Sequence, residues 1–169
     1  LVCANLPYYI TSPVIMKLLE EKLPVESLTV MVQKEAAVRI CAAPGTRACG
    51  AVSVAVQYYS QPQILFDVPR DCFFPAPNVD SAVIRLNIRK EPPVKLETEE
   101  KQFFKLVKAA FGQRRKTVLN SLNTGLGKSK EELSAALQQA GIAPTARAEQ
   151  LTMEQFGTLC NLLFPNKTK

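Results

Sequence analysis

The spacing of apolar residues changes character at Pro92-Pro93, and that change limits what the chain can fold into. Before it lie short runs rich in β-branched and aliphatic residues: Leu1-Val2-Cys3-Ala4, Leu28-Thr29-Val30-Met31-Val32, residues 63–68 and residues 81–88. Runs of this length, bounded by polar or proline-set segments, read as strands. After it no such run occurs. Phe103, Val107, Ala110 and Phe111 recur at helical spacing, with Lys101, Lys105 and Lys108 on the opposite face. The pattern predicts an α/β sheet domain over residues 1–97 and a small all-α domain over residues 98–169. Arg89 to Thr98 reads as the linker between them.

Helices are expected between the strands. Ile10 to Glu21 is one, with Thr11 or Ser12 placed to cap it and Pro13 suited to its first turn. Ala36 to Ala42 is another. Ala51 to Tyr59 admits strand or helix, because Val, Ser and Tyr favour the first and length and alanine content the second; helix is the reading adopted. In the second part, Gly112 ends the first helix. Thr117 to Leu122, Ser129 to Gln139 with a Ser129–Glu132 capping box, and Thr152 to Phe164 follow. These helices are short, so they must dock on one another or on the first part. Gly125-Leu126-Gly127-Lys128-Ser129 imitates the end of a phosphate-binding loop. Leu122 stands where that loop needs glycine and no strand precedes it, so an interhelix turn is expected.

The first strand ends in Asn5-Leu6-Pro7-Tyr8-Tyr9, which puts a polar side chain and two aromatics at its carboxyl end, where open α/β sheets bind ligands. The residues suit work on an amino group attached to an aromatic ring. The Asn5 side-chain oxygen and the backbone carbonyl of Leu6 or Pro7 are candidate acceptors for its two N–H bonds. Tyr8 offers a face for the ring to stack on. Between the last two strands, Pro69 to Val79 is a stiff, proline-set segment carrying Phe73 and Phe74.

Composition narrows the classes further. The chain of 169 residues has no histidine, and its five cysteines are scattered with no CxxC pair. A zinc site or histidine-based catalysis has nothing to build on, so no metal is expected. Free thiols fit a cytoplasmic protein. No apolar run is long enough to span a membrane. The net charge of +6 is uneven: residues 98–169 hold 11 Lys and Arg against 6 Asp and Glu, residues 1–97 hold 10 against 9. That asymmetry points to an anionic partner for the second part, nucleic acid first. Arg114, Arg115, Lys116 and, on the preceding helix, Lys108 are the candidate contacts.

The Asn-Leu-Pro-Tyr loop resembles the fourth motif of N6-adenine methyltransferases. Three further blocks follow in order: Val32-Gln33-Lys34-Glu35-Ala36-Ala37-Val38-Arg39, Phe73-Phe74-Pro75-Ala76-Pro77-Asn78-Val79-Asp80-Ser81-Ala82-Val83, and Phe111-Gly112-Gln113-Arg114-Arg115-Lys116-Thr117. Together they resemble the bacterial ribosomal RNA adenine dimethyltransferase family (the KsgA type) from Leu1 to about Phe164. The resemblance implies a partial Rossmann-like methyltransferase sheet domain followed by a small all-α domain. It implies dimethylation of N6 on two adjacent adenosines near the 3′ end of small-subunit ribosomal RNA, with S-adenosylmethionine as cofactor and the 30S precursor as partner. By resemblance, Asn5 and Pro7 hold the amino group and Asn5 also lies beside the cofactor. Tyr8 stacks on the flipped adenine and Phe73 closes on its other face.

The chain departs from the family at Asn78, where lysine is usual. The glycine-rich cofactor loop and the ribose-binding acid are also absent; they would precede Leu1. The expectation is the carboxyl-terminal part of such an enzyme, inactive alone, with an open sheet edge at Leu1 to Ala4. Three rivals stand beside it: a resistance-type large-subunit RNA methyltransferase, a non-catalytic ribosome-assembly RNA-binding factor, and a DNA adenine methyltransferase. The Gln-Lys-Glu and Gln-Arg-Arg-Lys blocks favour the small-subunit enzyme over the first.

Overall fold

A computed structural model describes residues 1–165. The last four residues of the 98–169 region lie outside the described residues. Four strands form one sheet: β1 (Val2–Asn5), β2 (Ser27–Gln33), β3 (Ser60–Val68) and β4 (Ser81–Ile88). Their order is β1-β2-β4-β3, with β1 parallel to β2 and the other pairs antiparallel. β1 and β3 are the edges. Leu28, Val30 and Val32 stand beside Leu86, Ile84 and Ala82 in register, and all six are buried on one face. Alternation puts Thr29, Met31, Val83 and Arg85 on the other, more open face.

Three helices cover the buried face: α1 (Thr11–Glu20), α2 (Lys34–Cys41) and α3 (Ala51–Tyr59). Ile15, Leu19, Ala37, Ile40 and Val56 close this core against the strands. The helix reading of 51–59 holds. Its weak periodicity has a physical cause, because α3 serves two cores. Val56 joins the sheet core, while Val54 and Tyr58 join a second core. A helix buried on both sides is apolar nearly all round.

That second core belongs to α4 (Glu100–Ala110), α5 (Val118–Leu126), α6 (Lys130–Gln139) and α7 (Met153–Leu163). Phe103, Leu106, Leu122, Leu133, Leu137, Phe156 and Leu159 are fully buried in it. The helices dock on one another and, through α3, on the first part.

Local details differ from expectation; β3 begins at Ser60 rather than at 63, and α2 at Lys34 rather than at Ala36. Neither Thr11 nor Ser12 caps α1: its N-cap is Ile10, and the Thr11 hydroxyl instead donates to the Pro7 carbonyl at 3.1 Å. α5 runs to Leu126 rather than stopping at Leu122, because Thr117 caps it and Gly127, at φ 66°, ends it in the left-handed region. Only half of the Ser129–Glu132 box forms; Ser129 accepts from the Glu132 N–H, but the Glu132 carboxylate pairs with Lys128. The segment 89–98 is irregular, yet it is not loose. Asn161 of α7 accepts the Glu97 N–H at 2.8 Å and donates to the Lys95 carbonyl at 3.1 Å. Of the Gly125–Ser129 stretch, expected to be an interhelix turn, Gly125 and Leu126 belong to α5 and only 127–129 form the connection.

Candidate active site and nucleic-acid interface

The carboxyl ends of β1 and β2 meet the amino end of β4. Asn5 sits beside Met31, and two residues further along Gln33 sits beside Ser81. Asn5 is exposed at this end. The chain then turns through Leu6 and Pro7 into a short 3-10 turn, Tyr8–Ile10. The Pro7 carbonyl closes that turn, accepting the Ile10 N–H at 3.2 Å as well as the Thr11 hydroxyl. Among the described residues no loop or cap hydrogen bond falls on the Leu6 carbonyl. Of the two backbone acceptors the sequence left open, Pro7 is engaged and Leu6 is free of the turn.

Tyr8 is half-buried, and its hydroxyl lies 2.6 Å from the Ser81 hydroxyl. Tyr9 points out and is 84% exposed. Ser81 follows directly on the proline-set segment that carries Phe73 and Phe74. That segment is clipped at its neck. Asp80 accepts the Arg70 N–H through its carboxylate at 3.1 Å, and the Arg70 guanidinium donates to the Asn78 carbonyl at 3.2 Å. The Asp80 carbonyl also takes the first N–H of α2, from Lys34, at 3.0 Å. Lys34 reaches Asp67 at 2.6 Å, and this hydrogen bond holds its ammonium above the usual lysine range. Phe73 is half-buried and Phe74 fully exposed. The structure therefore brings Asn5, Leu6, Tyr8 and the base of the Phe73 segment to one end of the sheet.

Arg114, Arg115 and Lys116 follow α4 and are exposed, and none joins an ion pair among the described residues. They line a groove of 650 Å³ together with Arg39 and Arg47; Glu149 and Glu35, the latter paired with Arg39 at 3.3 Å, line it too. Arg47 and Arg147 share an adjoining depression. Lys108 is separate: it lines a neighbouring hollow with Lys105 and Gly125. Arg39, Arg47 and Arg147 were missed in sequence, since each stands alone there and only folding gathers them. Arg39 lies on α2, whose first residue, Lys34, is tied to Asp80. One helix thus spans from the Asn5 end of the sheet to the basic groove.

A family model described as ribosomal RNA adenine dimethylase matches residues 1–164. The chain belongs to the ribosomal RNA adenine dimethylase family. A ribosomal RNA small subunit methyltransferase A from Geobacillus thermodenitrificans is 52% identical over 168 residues, covering 98% of this chain and 57% of that protein. The chain thus spans a little over half the length of the curated relatives it matches. Among solved structures, a dimethyladenosine transferase from Plasmodium falciparum superposes with a TM-score of 0.74 at 25% identity, over 93% of this chain and 64% of that one. The 23S rRNA methyltransferase ErmE superposes with a TM-score of 0.66 at 25% identity, over 95% and 64%. The Rossmann-like α/β class expected from sequence holds. Dimethylase-family architecture is shared by proteins named for different ribosomal subunits, so architecture alone does not choose between them.

Proposed function

We propose that this chain carries the base-binding loop and RNA-docking surface of an enzyme that dimethylates N6 of two adjacent adenosines in small-subunit ribosomal RNA. The observation that carries this reading is the Tyr8–Ser81 hydroxyl pair, which joins the Asn5–Tyr8 loop to the root of the Phe73 segment. High identity to a protein named for the small subunit supports that substrate over the large subunit. The 30S precursor in the cytoplasm is the expected partner. Among the described residues no helix is long and apolar enough to cross a membrane.

In this reading the Asn5 side-chain oxygen and the Leu6 carbonyl accept the two N–H bonds of the adenine amino group. They hold the nitrogen and favour its pyramidal, nucleophilic form. Pro7 shapes the turn with its own carbonyl engaged. The flipped base stacks on Tyr8, and Phe73 covers its other face, which helps offset the few kcal/mol of unstacking. Arg114, Arg115 and Lys116, with Arg39, Arg47 and Arg147, meet the phosphates flanking the target. Lys108 meets phosphates from the neighbouring hollow.

S-adenosylmethionine, when bound, supplies the methyl group. The exposed Asn5 amide suits a polar contact to it, and among the described residues no glycine-rich loop follows a strand. One hydrogen bond contributes about 0.5–1.5 kcal/mol net, so titration calorimetry on the 169-residue chain is expected to show no micromolar cofactor site. Such a site would contradict this account of the cofactor pocket.

The base-clamp reading is tested with Tyr8→Ala in the full-length protein. Loss of a stacking face costs about 1–3 kcal/mol, so methyl transfer should fall strongly while circular dichroism is unchanged. An unchanged rate would make Tyr8 a wall residue; absence of methyl transfer by the unsubstituted full-length protein would make an RNA-binding assembly factor the better reading.

A further inference from the structure

We infer that Ser81 is a positioning residue for methyl transfer, acting through Tyr8; the inference rests on the base-clamp reading above. Ser81 is the first residue of β4 and is fully buried. A hydroxyl shut away from water needs a partner. Its partner is the Tyr8 hydroxyl at 2.6 Å, from a loop 73 positions earlier in the chain.

The geometry gives this bond a particular consequence. A tyrosine ring is attached at Cβ, and its tilt is otherwise set by packing alone. Tethering Oη at the opposite end fixes the axis of the ring. The tether fixes where the ring stands at the strand end, and rotation about its axis is left to the neighbouring side chains. The anchor itself is rigid. Ser81 is paired with Gln33 across β2, and its neighbour Asp80 is bonded to both Lys34 and Arg70. Asp80 and Ser81 also root the segment bearing Phe73. The short stretch Asp80–Ser81 therefore anchors both the Tyr8 ring and the root of the segment that carries Phe73. Misplacing a positioned group slows the reaction it serves, so a tether here is expected to act on rate rather than on RNA affinity.

The experiment uses single-turnover methyl transfer by the full-length protein on small-subunit RNA. Ser81→Ala, Tyr8→Phe, the double variant, Ser81→Thr and Tyr8→Ala are compared. Ser81→Ala and Tyr8→Phe delete the same bond from opposite ends, and Tyr8→Phe does so at a half-buried loop position outside both cores. Both should slow transfer by a similar factor, about 2- to 12-fold, the span of one net hydrogen bond. RNA affinity should stay at the wild-type value. The double variant should be no slower than either single one, and Ser81→Thr should recover the rate. Tyr8→Ala should be slower than all of them. If Tyr8→Ala is impaired but Ser81→Ala and Tyr8→Phe match wild type, the positioning role is wrong and the base clamp stands. If Ser81→Ala is slow while Tyr8→Phe is not, Ser81 acts by another route and the inference also fails. If Tyr8→Ala is itself wild type, the base-clamp reading fails and takes the inference with it.

Discussion

Two adjacent tyrosines of α3 converge on one carboxylate. The hydroxyls of Tyr58 and Tyr59 donate to Glu100 at 3.3 and 3.4 Å, and Lys22, at the end of α1, reaches the same group at 3.0 Å. Burial, reinforced by Glu100, pushes the Tyr58 phenol up to about 12 and raises that of Tyr59. Burial likewise pushes the thiols of Cys41, Cys49 and Cys160 up to about 11. In each case the fold favours the protonated form. The unfolded chain ionises first as pH rises, so this stability is complete below about pH 9 and is lost between about 9 and 12. Thermal melts across that range should show a steep alkaline decline, and Tyr58→Phe should flatten its upper part. A melting temperature flat from pH 9 to 12 would contradict these environments. Single residues were the hardest level to read in sequence. Asn5 and Tyr8 could be placed because their chemistry suits a strand end. The bond from Tyr8 to Ser81, and the engagement of the Pro7 carbonyl by Thr11, depend on partners whose positions only the fold supplies.

At the level of elements, close helix packing rests on small residues. A Cβ added at Gly125 in α5 would lie 2.6 Å from the Cβ of Ala109 in α4. Neither atom can swing aside. Alanine is the better helix former by about 1 kcal/mol, but overpacking costs about 1–3 kcal/mol. Gly125→Ala should therefore destabilise the protein, read as a lower urea midpoint. A rise in the midpoint would mean that α4 and α5 sit further apart. Gly157 of α7 makes a similar approach to Val94, whose Cβ would stand 3.1 Å away. The strands and most helices were legible, since runs of valine, isoleucine and leucine between polar breaks have few alternatives. α5 was read short because Asn123, Thr124 and Gly125 look like a turn; the cap at Thr117 and tertiary contact with α4 carry the helix through them.

At the level of the whole molecule, the fold brings basic residues from distant parts of the chain together. Arg39 and Arg47 from the sheet part join Arg114, Arg115 and Lys116 in one groove. Sequence reading located the last three by their adjacency and missed the first two. Neutralising Arg114, Arg115 and Lys116 should weaken RNA binding and lower the salt slope by about 0.7–0.9 per lost phosphate contact. Arg39→Ala and Arg47→Ala should each do the same on a smaller scale. A salt slope equal to wild type in the triple variant would remove this surface from the RNA account.

The core shared by α3 and α4–α7 has a consequence for synthesis. Val54 and Tyr58 emerge from the translating ribosome before Phe156, Leu159 and Leu163, which share their core. Chains emerge amino end first. The faces of α3 and α4 that close on one another around Phe103 are thus assembled before the helix that seals them exists. Val94, Lys95 and Glu97 wait in the same way for Gly157 and Asn161. A nascent chain paused before Met153 presents an uncovered apolar surface that chaperones would meet, and release of α7 is the event that completes it.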